Sequence, residues 1–199
     1  MLKYSLLLIF SVAFCAASAQ SDSVALKEIK KFQSVLKTEY ADPYHSPLSV
    51  KAKKDFKGIL FFPIDMKYTV QARFVRTPHE KTFQMPTSSG TRKTYVKYAE
   101  VFFVIDKQEY KLNVYQSIDL IKSTEYKDYL FIPFTDATSG KETYEGGRYI
   151  DLTIPSSDNI TLDFNKAYHP YCAYTEGYNC PIPPKENHLP IKIEAGVRF

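Results

Sequence analysis

Apolar and polar residues alternate along most of this chain with the two-residue period of half-buried strands. Tyr68, Val70, Ala72 and Phe74 alternate with Thr69, Gln71 and Arg73. Residues 94–105 form a long predicted strand ending in the apolar run Val101-Phe102-Phe103-Val104-Ile105. Asp106-Lys107 then turns the chain into 109–116, where Tyr110, Leu112 and Val114 share a face. Further strands are predicted over 129–134, 147–154, 160–164 and 189–195, and 58–64 reads as a buried apolar run. Pro133 assigns the strand over 129–134 to an edge or a strand end, because proline has no N–H for a ladder. Residues 117–127 are predicted as one short helix.

The period becomes helical at the N-terminal end. Ala25, Ile29, Phe32 and Leu36 make one apolar stripe with Val35 beside it, and Ser21, Asp22 and Ser23 offer N-caps. Asp42-Pro43 and Ser46-Pro47 stop the helix near Glu39, since residues before proline avoid the helical region. About eight strands joined by turns, without alternating helices, predict a mainly β fold. It is either an antiparallel barrel or a two-sheet sandwich, with one N-terminal α-helix packed on it.

Residues 1–19 change the picture of where the chain works. Lys3, the apolar stretch 6–17 and Ala17-Ser18-Ala19 have the layout of a secretory signal peptide, which predicts cleavage after Ala19 and a secreted or periplasmic protein. Phe14 stands before Cys15 where lipidation wants a small residue, so a lipid anchor is disfavoured. The apolar run is shorter than the roughly 20 residues a spanning helix needs, and no later segment is predicted to span a membrane. Residues 20–199 then form a single predicted domain. Removing Lys3 with the leader leaves 25 of the 26 basic residues against 22 acidic ones, well mixed, which argues against a nucleic-acid partner. Lys51-Ala52-Lys53-Lys54 is the one dense basic cluster and reads as a solvated loop or helix end. The 16 Tyr and 14 Phe suit half-buried strand faces, so core packing is a better account of them than a sugar-binding platform.

Several motifs in fixed order carry a family resemblance. They are Gly58-Ile59-Leu60-Phe61-Phe62-Pro63-Ile64-Asp65, Thr138-Ser139-Gly140 with Tyr144, Gly147-Arg148-Tyr149-Ile150-Asp151, Leu162-Asp163-Phe164-Asn165-Lys166-Ala167-Tyr168, and Cys180-Pro181-Ile182-Pro183-Pro184-Lys185-Glu186-Asn187. Over about residues 28–197 the chain resembles the uncharacterised bacterial DUF1684 family. The resemblance implies one domain and no activity, cofactor or substrate. Members often carry Asp-Gly where this chain has Asp106-Lys107.

The chemistry gathers in residues 136–187. Arg148 shares a strand phase with Ile150, Leu152 and Ile154, which predicts a guanidinium on the inward face. Such a charge needs a carboxylate, carbonyls or an anionic ligand. A structural pair with Asp136, Glu145 or Asp163 and a ligand role stand level. The ligand reading nominates Arg148, Asp136, Thr138, Ser139, Asp163, Asn165, Tyr168, Glu186 and Asn187 as the lining of a pocket. Ser34-Val35-Leu36-Lys37 spells S-x-x-K without its companion motifs. The P-loop, G-x-S-x-G and H-E-x-x-H patterns are absent, and His45, His79, His169 and His188 are too scattered to serve Ser139. No cofactor is implied. Cys172 and Cys180 predict one disulfide; the alternative is a metal site from His169, Cys172, Cys180 and His188. The leading functional expectation is a binding module for a small polar or anionic ligand around Arg148. The alternative is a hydrolase with Asp or Glu as general acid–base in the same pocket, and an envelope interaction protein without a pocket is a third class.

Overall fold

The computed structural model describes residues 3–199, with side chains from Asp22 onward. Helix α1 is assigned over Lys3–Ala41 and α2 over Val50–Asp55. The expected leader and Ser21 lie outside the described side chains. α1 runs through Asp22 and Ser23, which are therefore not its caps. Its predicted stripe faces the protein: Ile29 is fully buried and Ala25, Phe32 and Leu36 are half-buried, while Val35 is exposed. The basic cluster lies in α2, capped by Ser49, whose side chain accepts from the Ala52 N–H.

The strands are β1 (Leu60–Phe61), β2 (Thr69–Arg76), β3 (Phe83–Pro86), β4 (Arg92–Ile105), β5 (Gln108–Ser117), β6 (Tyr129–Asp136), β7 (Arg148–Thr153), β8 (Asn159–Asp163), β9 (His188–Leu189) and β10 (Val197–Arg198). The main sheet runs β7-β6-β5-β4-β2-β8, with β3 beside β4 and β9 beside β6, and β1 pairs with β10 separately. The fold is mainly β: an antiparallel sheet curled into a half-barrel, with one N-terminal helix. β7 and β8 end the path and leave a seam that a closed barrel lacks.

One face of the sheet buries the larger core, including Val70, Ala72, Phe74, Val101, Phe103, Leu112, Val114, Leu130, Ile132, Phe134 and Ile150. The opposite face of β5, β6 and β7 carries a second cluster, where Tyr115, Phe131 and Tyr149 meet Met85 and Tyr95. A bulge between Lys97 and Ala99 lets β4 serve both. The extra residue reverses the strand's phase, so Tyr95 packs on one face and Ala99, Val101 and Phe103 on the other. At the β4–β5 hairpin both Asp106 (φ 51°) and Lys107 (φ 67°) are left-handed, the geometry of a two-residue turn that asparagine or glycine usually fills.

Four sequence expectations need correction. Residues 58–64 are not a buried strand: only Leu60–Phe61 pair, and Leu60 is exposed. Residues 117–127 form two 3-10 turns, Leu120–Lys122 and Thr124–Tyr126, in place of one helix. Residues 189–195 pair only at His188–Leu189, because side chains hold the rest. Pro133 lies on a strand with neighbours on both sides. β3 was not anticipated.

Candidate functional site

Arg148 is buried with no exposed surface. It faces inward as its phase requires, and the protein supplies most of its partners. Its Nη2 donates to Asp136 Oδ1 at 3.3 Å and to the Ile193 carbonyl at 2.8 Å, and its Nη1 donates to the carbonyls of Ala195 and Val197. Nε has no partner among the described residues. Asp136 accepts in turn from the Ile193 N–H at 2.7 Å, from Thr138 Oγ1 and from Ser139 Oγ. The pair therefore gathers the C-terminal segment, which has no ladder of its own across 190–196. The sheet also needs glycine here. Gly147 has φ +84°, and a Cβ on it would collide with the Phe134 carbonyl and with Pro183. Asp136, Thr138, Ser139 and Arg148 thus come together as predicted, but as a closed buried network that lines none of the cavities described below. The cause is the density of donors and acceptors around Arg148, which leaves the charge no opening.

Asn187 has a different task from the one predicted. β5 and β6 pair directly only at Tyr115–Phe131, and Pro133 offers no N–H. The buried Asn187 amide fills the gap: it accepts from the Asn113 N–H at 2.8 Å and donates to the carbonyls of Asn113 at 2.9 Å and Pro133 at 2.8 Å. It replaces a missing stretch of ladder, which is why proline is tolerated in an interior strand. Glu186 beside it is exposed. Asn165 is also buried and bonded throughout, to the Asp65 backbone, Thr69 and Asp163.

Cys172 and Cys180 form a disulfide, and its loop docks on the Ser88 turn through Ser88 N–H to the Cys180 carbonyl at 2.9 Å. The four residues of the metal alternative are engaged elsewhere. The sulfurs bond each other, and His169 spends Nε2 on the Tyr144 N–H (3.1 Å) and Nδ1 on Tyr174 Oη (3.0 Å). His188 Nδ1 is 3.0 Å from Thr135 Oγ1. Because Nε2 accepts, Nδ1 carries the His169 proton. Burial, with the nearby Arg148 charge adding to it, pushes the His169 pKa down to about 3.

The open chemistry lies on the other face of β7. A cavity of about 830 Å³ occupies the half-barrel's seam, walled by α1, β7 and β8, with Thr69 of β2 and Lys166 completing it. Asp151 lines it and also a smaller cavity of about 170 Å³ beside Leu36, Glu39 and Tyr171. Tyr129 and Tyr168 each donate a hydroxyl to Asp151 Oδ1 at 2.8 Å; Oδ2 has no protein partner among the described residues. Asp151 sits in a concavity, its side chain open to solvent while protein crowds around it. That crowding raises its carboxyl pKa, and the two tyrosine hydrogen bonds oppose the rise. Burial and then the Asp151 charge raise both phenol pKa values, so both stay donors. Asp163 is 8 % exposed. Its Oδ1 accepts from Thr69 Oγ1, the Asn165 N–H and Asn165 Nδ2 at 3.0–3.1 Å, and Oδ2 is without a protein partner among the described residues. The two carboxylates are built alike: one oxygen pinned by protein donors, the other left over.

Of the residues nominated from sequence, Asp163 lines this seam, and Tyr168 lines the smaller cavity beside it while holding Asp151. Asp151, Tyr129, Glu28, Phe32 and Lys166 were missed. One signal was available: Asp151 follows Tyr149 on the aromatic face of β7, a polar residue in phase with a buried cluster.

One comparison bears on the fold and another on the family. The solution NMR structure of an uncharacterised protein from Haloarcula marismortui matches with a TM-score of 0.70 and 29% identity, covering 90% of this chain and 97% of that one. No curated protein matches. The family model described as "Protein of unknown function (DUF1684)" matches residues 54–198, so α1, one wall of the seam, lies outside the matched region. The chain belongs to the DUF1684 family.

Proposed function

We propose that this protein is a binding module for a small polar ligand, seated in the seam between α1, β7 and β8. One observation carries the reading: Asp151, oriented by two tyrosine hydroxyls, presents a free carboxylate oxygen inside a cavity of ligand size. The pocket moves from Arg148 to the other face of the same strand. The anionic option weakens with the move, since Glu28, Asp151 and Asp163 face a single lysine, Lys166. The test is a two-dimensional NMR screen of polar metabolites against wild type and Ala25→Trp, which fills the seam from the helix. Binding confined to seam residues and lost in Ala25→Trp supports the module; ligands unaffected by the plug defeat it.

The raised Asp151 pKa favours a second reading, a hydrolase with Asp151 as general base. Turnover of a bound ligand, abolished in Asp151→Asn without loss of binding, is its signature. Export belongs to the same proposal. The layout of residues 1–19 supports it, and a disulfide suits an oxidising compartment. Intact mass of protein recovered from outside the cytoplasm should start at Gln20; diacylglyceryl on Cys15 would contradict that.

A further inference from the structure

The seam has a hydrogen-bond polarity that selects among polar ligands. As carboxylates, Asp151 and Asp163 can only accept through their free oxygens. Thr69 already donates to Asp163, while Thr161 accepts from Gln71 at 3.1 Å and keeps its own O–H. Lys166 is the one cationic donor on the lining, against three carboxylates counting Glu28. Asp163 matters most, because it is more than nine-tenths buried, lines the cavity and keeps one oxygen unused. That oxygen is not one of the fully buried atoms left without a partner among the described residues, so it opens on the cavity, where a ligand's donor can reach it. Asp151 repeats the arrangement on the opposite wall.

Among the described residues no group of three or more His, Cys, Asp or Glu side chains is placed to hold a metal ion. The rest of the lining is carbon, with Val24, Ala25, Phe32, Ile150 and Leu152 forming apolar walls. Such walls suit a hydrocarbon chain, and Phe32 among them adds an aromatic ring beside which a cation can sit.

Resting on the binding-module reading, we propose that the seam takes a protonated alkylamine, its ammonium group on the free oxygens of Asp163 and Asp151 and its chain along the apolar walls. An ammonium brings three donors to a lining rich in acceptors, and its charge offsets the excess of carboxylates. The same group can arrive on a free amine or on a lysine side chain, and the test separates these sources.

The experiment is NMR titration of the mature chain with n-butylamine, 1,4-diaminobutane, n-butanol and butyrate at equal ionic strength, alongside an acetylated, amidated lysine. The expected result is shifts confined to seam residues, with the amines at least tenfold tighter than butanol and butyrate silent. Binding should weaken at least tenfold in Asp151→Asn and in Glu28→Gln, and be unchanged in Glu125→Gln, an exposed acid away from the seam. Glu28→Gln is the safeguard should Asp151→Asn perturb the fold. A capped lysine as tight as butylamine assigns the ammonium to a polypeptide partner; a weaker one assigns it to a free amine. Butanol or butyrate binding the seam as well as the amines would overturn the amine assignment and leave the binding module standing. Amine shifts scattered over the surface would overturn it too.

Discussion

On β7, Arg148 points into the interior of the curled sheet and Asp151 to its other face, and the protein treats the two charges in opposite ways. Arg148 is enclosed: a carboxylate and three carbonyls take its Nη groups. Asp151 is half-enclosed: tyrosines take one oxygen and solvent reaches the side chain. A buried charge with its partners supplied locally is a device for folding, here for tying down a terminal segment without a ladder. A charge whose orientation is fixed while an acceptor is left over is prepared for something that is not part of the chain. The comparison teaches that a conspicuous arginine sealed among protein acceptors is weaker evidence for a site than a less conspicuous aspartate held in place where solvent reaches it.

The contrast breaks most sharply at Arg148. Arg148→Met keeps the volume and removes the donors, leaving Asp136 without its counter-charge and three buried carbonyls short of a partner. Breaking a buried pair from one side costs about 3–5 kcal/mol, so the melting temperature should fall by roughly 10 °C for a domain of this size. Candidate anions should leave both melts unmoved. A variant that melts like wild type while losing an anion would return the site to Arg148.

Asn187 tests whether the interior face is structural throughout. Asn187→Ala strands the Asn113 N–H and two carbonyls between β5 and β6, and groups of that kind cost about 1–3 kcal/mol when left unpaired. The expected total is on the order of 2–3 kcal/mol, with hydrogen exchange quickening at Asn113. If stability is unchanged and a ligand is lost, Asn187 belongs to a site after all.

Most strands of the main sheet, their inward residues and the cysteine pair were legible because two-residue alternation and an even cysteine count are local signals. Arg148's burial followed from phase alone. What Arg148 was for did not, because the carbonyls of Ile193, Ala195 and Val197 come from a segment whose course depends on Arg148 itself. Asn187 was visible as a polar residue near prolines, but its role depends on how β5 and β6 splay. The seam was beyond reach for a similar reason: Glu28 lies far in the chain from Asp151 and Asp163, and all three line one cavity only because the half-barrel stays open between β7 and β8.

His169 sharpens the interior side of the comparison by pH. Its pKa falls from 6.5 unfolded to about 3 folded, so the unfolded chain binds a proton first. The stability it contributes is fully present above pH 6.5 and is lost as pH drops from there toward 3. At pH 5 the loss is on the order of 2 kcal/mol. Denaturant melts between pH 7 and 4 should show that slope in wild type and a shallower one in His169→Gln. Equal slopes would mean that the ring opens to solvent and does not hold the Tyr144 and Tyr174 contacts.

The smallest effect on stability is expected at Asp151, and its smallness is what separates the two faces. Asp151→Asn keeps the shape and an oxygen for Tyr129 and Tyr168 while removing the charge. The carboxyl pKa is raised in the fold, so its contribution to stability is fully present below the unfolded value and is lost as pH rises through the folded one. At neutral pH the ionised side chain does not help the fold, and the variant should lie within about 0.5 kcal/mol of wild type, on the stable side if anywhere. Below the unfolded pKa the order should reverse slightly, because the protonated acid is the form the fold prefers. Paired melts at pH 7 and pH 3.5 read both signs. A destabilisation at pH 7 comparable to that of Arg148→Met would show Asp151 to be another structural anchor. The seam would then hold no charge kept against the interest of folding, and the distinction between the two faces of β7 would collapse.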